Sequence, residues 1–308
     1  LLKISWQAWV GLLVCVVNEM NAALSGVAMK ALLSAFGAAL LVLLLGIGMM
    51  RRRLRESEEM PPAMGWGDLV RTWWVRPVDV AGLVVISGMF MTFGVSALVM
   101  SGGDLELTSA GLVSNAILFV GFVGVLWAMV SWRARPAEWL GLRWRQWYHV
   151  LWFAPLVVLG MWLVMGVLQA CGYLAWMEKW AGAPSMQESV ELMKESKDVT
   201  AVALMAISAA VVAPLAEELI FRGYLYPVAK KWSGKHAALI FSAMWFSACH
   251  GNVPLILPLF LLGLILAIAY EKTGSIWAPM GIHFFFNSAT VIIQLAIRAG
   301  WIPDVVAS

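Results

Sequence analysis

Nine mostly apolar segments divide this chain, and they constrain its fold more than any other feature. An α-helix needs about 20 apolar residues to cross the hydrocarbon core of a bilayer. Of the 308 residues, 62% are hydrophobic and only 13% are charged, whereas soluble proteins carry about 25% charged residues. The sequence therefore predicts an all-α, polytopic membrane protein. The nine segments cover residues 6–28, 31–50, 78–100, 111–132, 149–173, 200–226, 236–250, 254–270 and 276–298.

The first segment is the least regular of the nine. Asn18, Glu19 and Asn21 interrupt residues 6–28, so this segment could also lie in the interface or form an uncleaved signal-like helix. We therefore predict eight core transmembrane helices, and nine if this first segment spans the membrane. We expect two regions, an N-terminal transmembrane region with inner and outer loops (1–198) and a C-terminal transmembrane core (199–308).

Lys and Arg residues in the loops indicate how the chain is oriented. If the cluster Arg51–Arg55 faces the inside and the helices alternate, fifteen of the 21 Lys and Arg residues lie on the inner side. Five then lie on the outer side, and Arg222 lies inside the membrane. Inner loops of membrane proteins carry such an excess of positive charge. We expect an integral multi-pass protein, located in the plasma membrane if its source is bacterial.

Nucleic-acid binding and a disulfide scaffold are not indicated. The net charge of +3 is small and the chain has no basic stripe, so we expect the lipid bilayer, and no nucleic acid, as a partner. The three cysteines, Cys15, Cys171 and Cys249, are scattered through apolar segments. That spacing does not form a disulfide framework.

Three ionisable residues lie inside the otherwise apolar segment 200–226. Glu218 and Arg222 are four positions apart, so they are neighbours on a helix and can form an ion pair. Glu217 is turned about 100° away from that pair. It lies beside a like charge in a low-dielectric environment, which suits a general base that activates water. A buried ion-pair network that holds helices together would use the same residues, but ionisable groups inside a membrane are functional by default.

Two later apolar segments contribute histidines and an amide. His250 follows Phe246 by four residues, and Asn287 follows His283 by four residues on one helical face. An imidazole and an amide placed in this way can hold an oxyanion, or they can join helices through hydrogen bonds. Counted along the predicted helices, these polar residues and Glu217 lie about 10–20 Å from the inner ends. We therefore expect them to meet in one layer.

The three motifs, taken together and in order, resemble those of one family. They are Glu-Glu-x-x-x-Arg at 217–222, Phe-x-x-x-His at 246–250 and His-x-x-x-Asn at 283–287. This set is similar to that of the type II CAAX prenyl endopeptidase and Abi family, the CPBP intramembrane glutamic proteases. The resemblance covers residues 200–298, about a third of the chain.

The resemblance implies an intramembrane endopeptidase. In this interpretation Glu217 and His250 activate water, and His283 and Asn287 form the oxyanion hole. No metal or other cofactor is implied, and the sequence lacks the His-Glu-x-x-His pattern that places two zinc ligands on one helix face. The expected substrate is a membrane-associated or lipid-anchored peptide or protein that is reached from the inner membrane face.

Three residues are expected to support the site, two of them because of the same resemblance. Glu218 and Arg222 would form an ion pair beside the catalytic residues, in agreement with their spacing on a helix. Phe246 would support the site by packing.

Three other functions remain open at this point. A zinc metalloprotease could use Glu217, His250 and His283 as ligands. A cysteine protease could use Cys249, but its base would have to be His283, because sequence neighbours point in different directions on a helix. A membrane immunity or scaffold protein without catalytic activity could use the same polar cluster to bind or to pack.

Overall fold

The computed structural model describes residues 26–56, 69–100, 109–185, 193 and 196–302. These residues are mostly helical and include no β-strand, so the prediction of an all-α fold is confirmed. Two 3₁₀ turns, Trp147–His149 and Val253–Leu255, precede two of the helices. The helices are α1 (Val27–Glu56), α2 (Val78–Met100), α3 (Ser109–Ser131), α4 (Pro136–Trp139), α5 (Val150–Ala170), α6 (Tyr173–Ala181), α7 (Val199–Ser233), α8 (Lys235–Ala248), α9 (Ile256–Thr273) and α10 (Trp277–Arg298).

Within the described part of the chain, seven helices are long and apolar enough to cross a membrane. They are α1, α2, α3, α5, α7, α9 and α10, so the chain is a multi-pass integral membrane protein. The predicted count of eight core helices is wrong, because segment 236–250 forms the 14-residue helix α8. Such a helix is only about 21 Å long, and the hydrocarbon core is about 30 Å thick. The first segment, 6–28, lies almost entirely outside the described residues.

Helix α7 carries the charged motif and is not a regular α-helix. Two π-helical turns, Ser208–Val212 and Phe221–Leu225, interrupt it on either side of Glu217. Each π turn is followed two residues later by a proline, Pro214 or Pro227. A proline ring clashes with the carbonyl group four residues earlier and provides no N–H, which favours a wider turn. Single π turns inside α-helices are frequent at functional sites.

Helices α8 and α9 form a hairpin that packs against α1 and α10. Gly251, in the turn after α8, has a φ of +66°, and a Cβ atom at this position would lie 2.5 Å from the carbonyl oxygen of Gly94 in α2. Helix α6 packs against the 3₁₀ turn Val253–Leu255, and the Asn252 side chain donates a hydrogen bond to the carbonyl oxygen of Pro184. The turn is therefore enclosed between α2 and the connection that contains α6.

Two buried clusters join α7 to other helices near the ends that we predict to face the inside. Asp79, at the start of α2, pairs with Arg133 and accepts a hydrogen bond from the hydroxyl of Tyr224 at 3.0 Å. Glu271, near the end of α9, pairs with Lys230 at 2.7 Å. Both carboxylates are almost completely buried, so each one needs a charged partner. Arg133, just after α3, is the partner of Asp79, and Lys230 in α7 is the partner of Glu271.

Candidate active site

Glu218 and Arg222 form a fully buried ion pair on α7. Arg222 Nη1 lies 2.8 Å from Glu218 Oε1, and both side chains are 0% exposed. Arg222 Nη2 donates a second hydrogen bond, at 2.8 Å, to the carbonyl oxygen of Gly263 in α9. The guanidinium also lies 4.6 Å from the ring centroid of Phe246 in α8. The Arg222 side chain therefore connects α7, α8 and α9 next to Glu218.

His283 connects this ion pair to Glu217. Its Nδ1 lies 2.9 Å from Glu218 Oε1, and its Nε2 lies 3.9 Å from Glu217 Oε2. An ionised carboxylate only accepts hydrogen bonds, so Nδ1–H of His283 is the donor to Glu218. This bond orients the ring so that its second nitrogen faces Glu217. Nε2 can donate to an oxyanion when the imidazole carries both protons, and it accepts when the imidazole is neutral.

His250 lies at the end of α8, where the helix gives way to the turn. Its Nδ1–H donates to the carbonyl oxygen of Phe246 at 2.7 Å. A carbonyl oxygen only accepts, so Nε2 of the neutral ring keeps a lone pair. The ring centroid of Phe246 lies 4.8 Å from that of His250 and 5.7 Å from that of His283. The ring of Phe246 therefore contacts both imidazoles, and the backbone carbonyl of Phe246 also binds His250.

Asn287 contacts α7 at its first π turn. Its Nδ2 donates to the carbonyl oxygen of Ala209 at 2.8 Å. This carbonyl group faces Pro214 one turn later, and Pro214 has no N–H to offer it. The amide of Asn287 carries two N–H donors, so one donor satisfies Ala209 and the other remains for a ligand.

The candidate site residues surround one small cavity. Glu217, His250, His283 and Asn287 all line a cavity of about 110 Å³, as does Phe246. The Glu217 side chain is 15% exposed, and its buried Oε2 has no hydrogen-bond partner among the described residues. A buried carboxylate oxygen without a partner is costly unless water or a ligand binds it. The arrangement therefore provides a place for a water molecule beside Glu217.

A second cavity, of about 210 Å³, lies on another side of the same pair. Glu217 and His250 line it together with residues of α2 and α3. These two are the residues common to the linings of both cavities. A group bound between Glu217 and His250 can therefore extend into either cavity.

Sequence reasoning missed several contributors to the site. The carbonyl groups of Gly263 and Ala209 hold Arg222 and Asn287, and no side-chain pattern reveals such a partner. Asn115 on α3 lines the larger cavity, and a polar amide within an apolar helix was a signal that could have been noticed. Gln294 lines the smaller cavity and lies seven residues after Asn287, which is two turns along the same face of α10.

The positions of the histidines and of Cys249 can be compared with what a metalloprotease or a cysteine protease would need. In the described part of the chain, no group of three or more His, Cys, Asp and Glu side chains is arranged to hold a metal ion. The supposed ligands His250 and His283 instead bind Phe246 and Glu218 through Nδ1. Cys249 lines the larger cavity, whereas His283 lines the smaller one.

Comparison with known proteins identifies relatives for the part of the chain that forms the site. Residues 199–289 match the family model described as type II CAAX prenyl endopeptidase Rce1-like. The Bacillus subtilis protein named "Putative membrane peptidase YdiL" is 31% identical over 97 residues, which are 32% of this chain and 40% of that protein. An uncharacterized 24.3 kDa protein of Escherichia coli is 30% identical over 146 residues, 43% of this chain and 66% of that protein.

The chain thus spans between 40% and 66% of the length of these two relatives. No solved structure matches it significantly. The matched family region begins at the first residue of α7 and ends within α10, so it includes all three motifs. The predicted resemblance to the type II CAAX prenyl endopeptidase family is therefore confirmed over residues 199–289.

Proposed function

We propose that this protein is an intramembrane glutamic endopeptidase. The observation that carries the proposal is the unpaired, buried Oε2 of Glu217, which lines a cavity together with His250, His283 and Asn287. The family match and the relative named as a membrane peptidase support the same class of enzyme. The peptide bond would be hydrolysed by one water molecule, giving a carboxylic acid and an amine.

The proposed steps use the Nδ1–H donors that the hydrogen bonds indicate for His250 and His283, and they require a second proton on His283. The Glu217 carboxylate removes a proton from the bound water while Nε2 of His250 accepts a hydrogen bond from that water and orients it. The water oxygen then bonds to the peptide carbonyl carbon, and the oxyanion is held by the free N–H of Asn287 and by Nε2–H of protonated His283. Finally, the C–N bond breaks as the leaving nitrogen takes the proton from Glu217, which restores the carboxylate.

Glu218 and Arg222 support this chemistry without touching the substrate in our proposal. The ion pair fixes His283 through its Nδ1, and Arg222 fixes the position of α9 through Gly263. Both residues are needed for this orientation, because the loss of either one leaves a buried charge unpaired. These two residues are therefore positioning residues.

The substrate in this proposal is a membrane-associated or lipid-anchored peptide or protein. We propose delivery from the inner face, because the candidate residues lie about 10–20 Å from the predicted inner ends of their helices. The region 1–198 would contribute to substrate recognition through α2 and α3, whose residues line the larger cavity.

The decisive experiment compares the purified protein with Glu217→Gln and His250→Ala on a panel of quenched peptides, with and without EDTA. We expect both variants to lose at least about 10²-fold in kcat/KM, the low end for general-base catalysis, and the wild type to be indifferent to EDTA. The matched controls are Glu138→Gln and His236→Ala, which change exposed residues and should retain full activity.

Other results would favour the rival functions. Loss of wild-type activity in EDTA, reversed by zinc, would indicate a metalloprotease. Loss of activity in Cys249→Ala, with Glu217→Gln still active, would indicate a cysteine protease. Equal cleavage by Glu217→Gln, His250→Ala and the wild type would show that the polar cluster is structural.

A further inference from the structure

The two cavities beside Glu217 and His250 differ in size and in chemistry. The larger cavity, of about 210 Å³, is lined mainly by aromatic and aliphatic side chains of α2, α3 and α7. The smaller cavity, of about 110 Å³, has the polar groups of His283, Asn287 and Gln294 in its wall. This difference matters because Glu217 and His250 lie in both walls, so a peptide bond held between them has one cavity on each side.

An aromatic cluster forms part of the lining of the larger cavity. Phe90, Phe93, Phe122 and Phe221 contact one another with ring centroids 5.3–6.2 Å apart. Aromatic pairs in this distance range stabilise one another beyond the area that they bury. The aromatic part of the cavity wall is therefore stabilised by contacts among its own side chains.

The volumes set what each cavity can hold. An apolar cavity of about 150 Å³ in another protein binds benzene, so 210 Å³ accommodates a phenyl ring or a branched aliphatic side chain. The smaller cavity falls below that benchmark, and its volume corresponds to about three or four water molecules at roughly 30 Å³ each. It must already admit the carbonyl oxygen of the substrate if His283 and Asn287 hold the oxyanion.

The smaller cavity also contains an unused acceptor. Gln294 Oε1 is buried and has no hydrogen-bond partner in the described residues. A buried amide oxygen without a partner costs free energy, and a donor from water or from a substrate would remove that cost. The volume of the small cavity therefore excludes a bulky group, although apolar side chains such as Leu259 and Leu262 also line it.

We infer that the two cavities are side-chain subsites on opposite flanks of the scissile bond. The larger cavity accepts a bulky apolar residue, preferably an aromatic one, and the smaller cavity restricts the residue on the other flank to a small side chain. This inference rests on the proposed endopeptidase activity and deepens it, because it specifies the peptides that the site would cleave.

The test uses two neighbouring residues of α3. Leu118 is 45% exposed and lines the larger cavity, whereas Ile117 is 66% exposed and is not part of that lining. Leu118→Trp narrows the cavity, and Ile117→Trp makes a matched change of size outside it. Each purified protein is given peptides with Phe or Ala at each position next to the cleavage site, with and without an S-alkyl lipid. The cleavage site is located by mass spectrometry.

The expected result is a selective loss. The wild type should cleave the peptide with Phe on one flank and Ala on the other at least about tenfold faster than the peptide with Ala on both, as expected when an apolar pocket discriminates by several methylene groups. Leu118→Trp should lower the ratio of the two rates, Phe–Ala over Ala–Ala, to within about twofold of one. Ile117→Trp should change neither rate.

Three results would overturn the inference. An equal loss for both peptides in Leu118→Trp would mean that the cavity does not select a side chain. A wild-type preference for Ala on both flanks would mean the same. A loss confined to peptides that carry an S-alkyl lipid would assign the cavity to a lipid chain. In each of these cases the proposed endopeptidase function is still supported if the wild type cleaves some peptides and Glu217→Gln cleaves none. A failure of the subsite inference can therefore be distinguished from a failure of the proposed function.

Discussion

The buried ion pair of Glu218 and Arg222 is best explained by what it does for His283. Removing two charges from water costs several kcal/mol for each ion, and a pair of apolar residues would fill the same space at lower cost. The carboxylate, however, accepts hydrogen bonds from Arg222 and from His283 at the same oxygen, Oε1. An apolar residue at position 218 could not fix the imidazole. The charge at this position is therefore explained by orientation and not by stability.

The proposed role of Asn287 leads to a prediction about a single residue. Asn287→Leu removes an N–H that would bind the oxyanion only as it forms, so we expect kcat to fall by about 10²–10³-fold with KM nearly unchanged. The control is Thr290→Val, which changes a residue of the same cavity wall whose hydroxyl donates to Phe286 of its own helix. Steady-state kinetics on one cleavable peptide gives both constants.

The result that would contradict the role of Asn287 is equally specific. The bond from Asn287 to Ala209 is structural, so a folding defect alone would reduce the amount of active enzyme. If the loss of kcat disappears when the rates are divided by the fraction of folded protein, Asn287 only connects two helices and does not hold the oxyanion.

The close approach of α8 and α9 leads to a prediction about elements. A Cβ atom on Gly263 would lie 3.0 Å from Phe246 Cδ1 and 3.2 Å from the Ala243 backbone. We expect Gly263→Ala to push α8 outward with an overpacking cost of about 1–3 kcal/mol. Because the ring and the backbone of Phe246 hold His250, activity should fall as well. Unfolding in detergent and peptide cleavage measure the two effects.

The matched control is another helical glycine. A Cβ atom on Gly160 in α5 would have no neighbouring atom within 4 Å outside its own turn of helix. Gly160→Ala should therefore leave activity unchanged and stabilise the helix by about 0.5–1 kcal/mol. If the two substitutions have the same effect, the contact between α8 and α9 does not position His250.

The elements also show which features the sequence could predict. Spacing of four residues placed Arg222 beside Glu218, because that relation is local to one helix. Apolar length correctly predicted seven helices that are long and apolar enough to cross a membrane. It failed for α8, because a helix in a buried hairpin does not need the full thickness of the bilayer. The contact of Gly263 with Arg222, and the division of the space around Glu217 into two cavities, depend on packing between helices that are distant in the chain.

At the scale of the molecule, Lys and Arg placement and the connectivity of the helices give the same orientation. Helix α1 ends in the cluster Arg51–Arg55, and α7 ends with Lys230 and Lys231 in its last turn. Helix α8 starts at Lys235, directly after the end of α7, and α9 runs back from the turn to Thr273. The hairpin of α8 and α9 therefore starts and ends on that same side. The orientation therefore does not change although the count of spanning helices does.

This orientation can be measured with single cysteines in a background where Cys15, Cys171 and Cys249 are replaced by alanine. We expect Lys231→Cys, at the predicted inner end of α7, to react with a membrane-impermeant maleimide only after the cells are permeabilised, since inner loops carry the positive charge. Lys179→Cys, in the predicted outer connection, should react in intact cells. The reverse pattern would place the inner clusters and the substrate approach on the outer face. It would leave the geometry of the site intact but would require a substrate delivered from outside the cell.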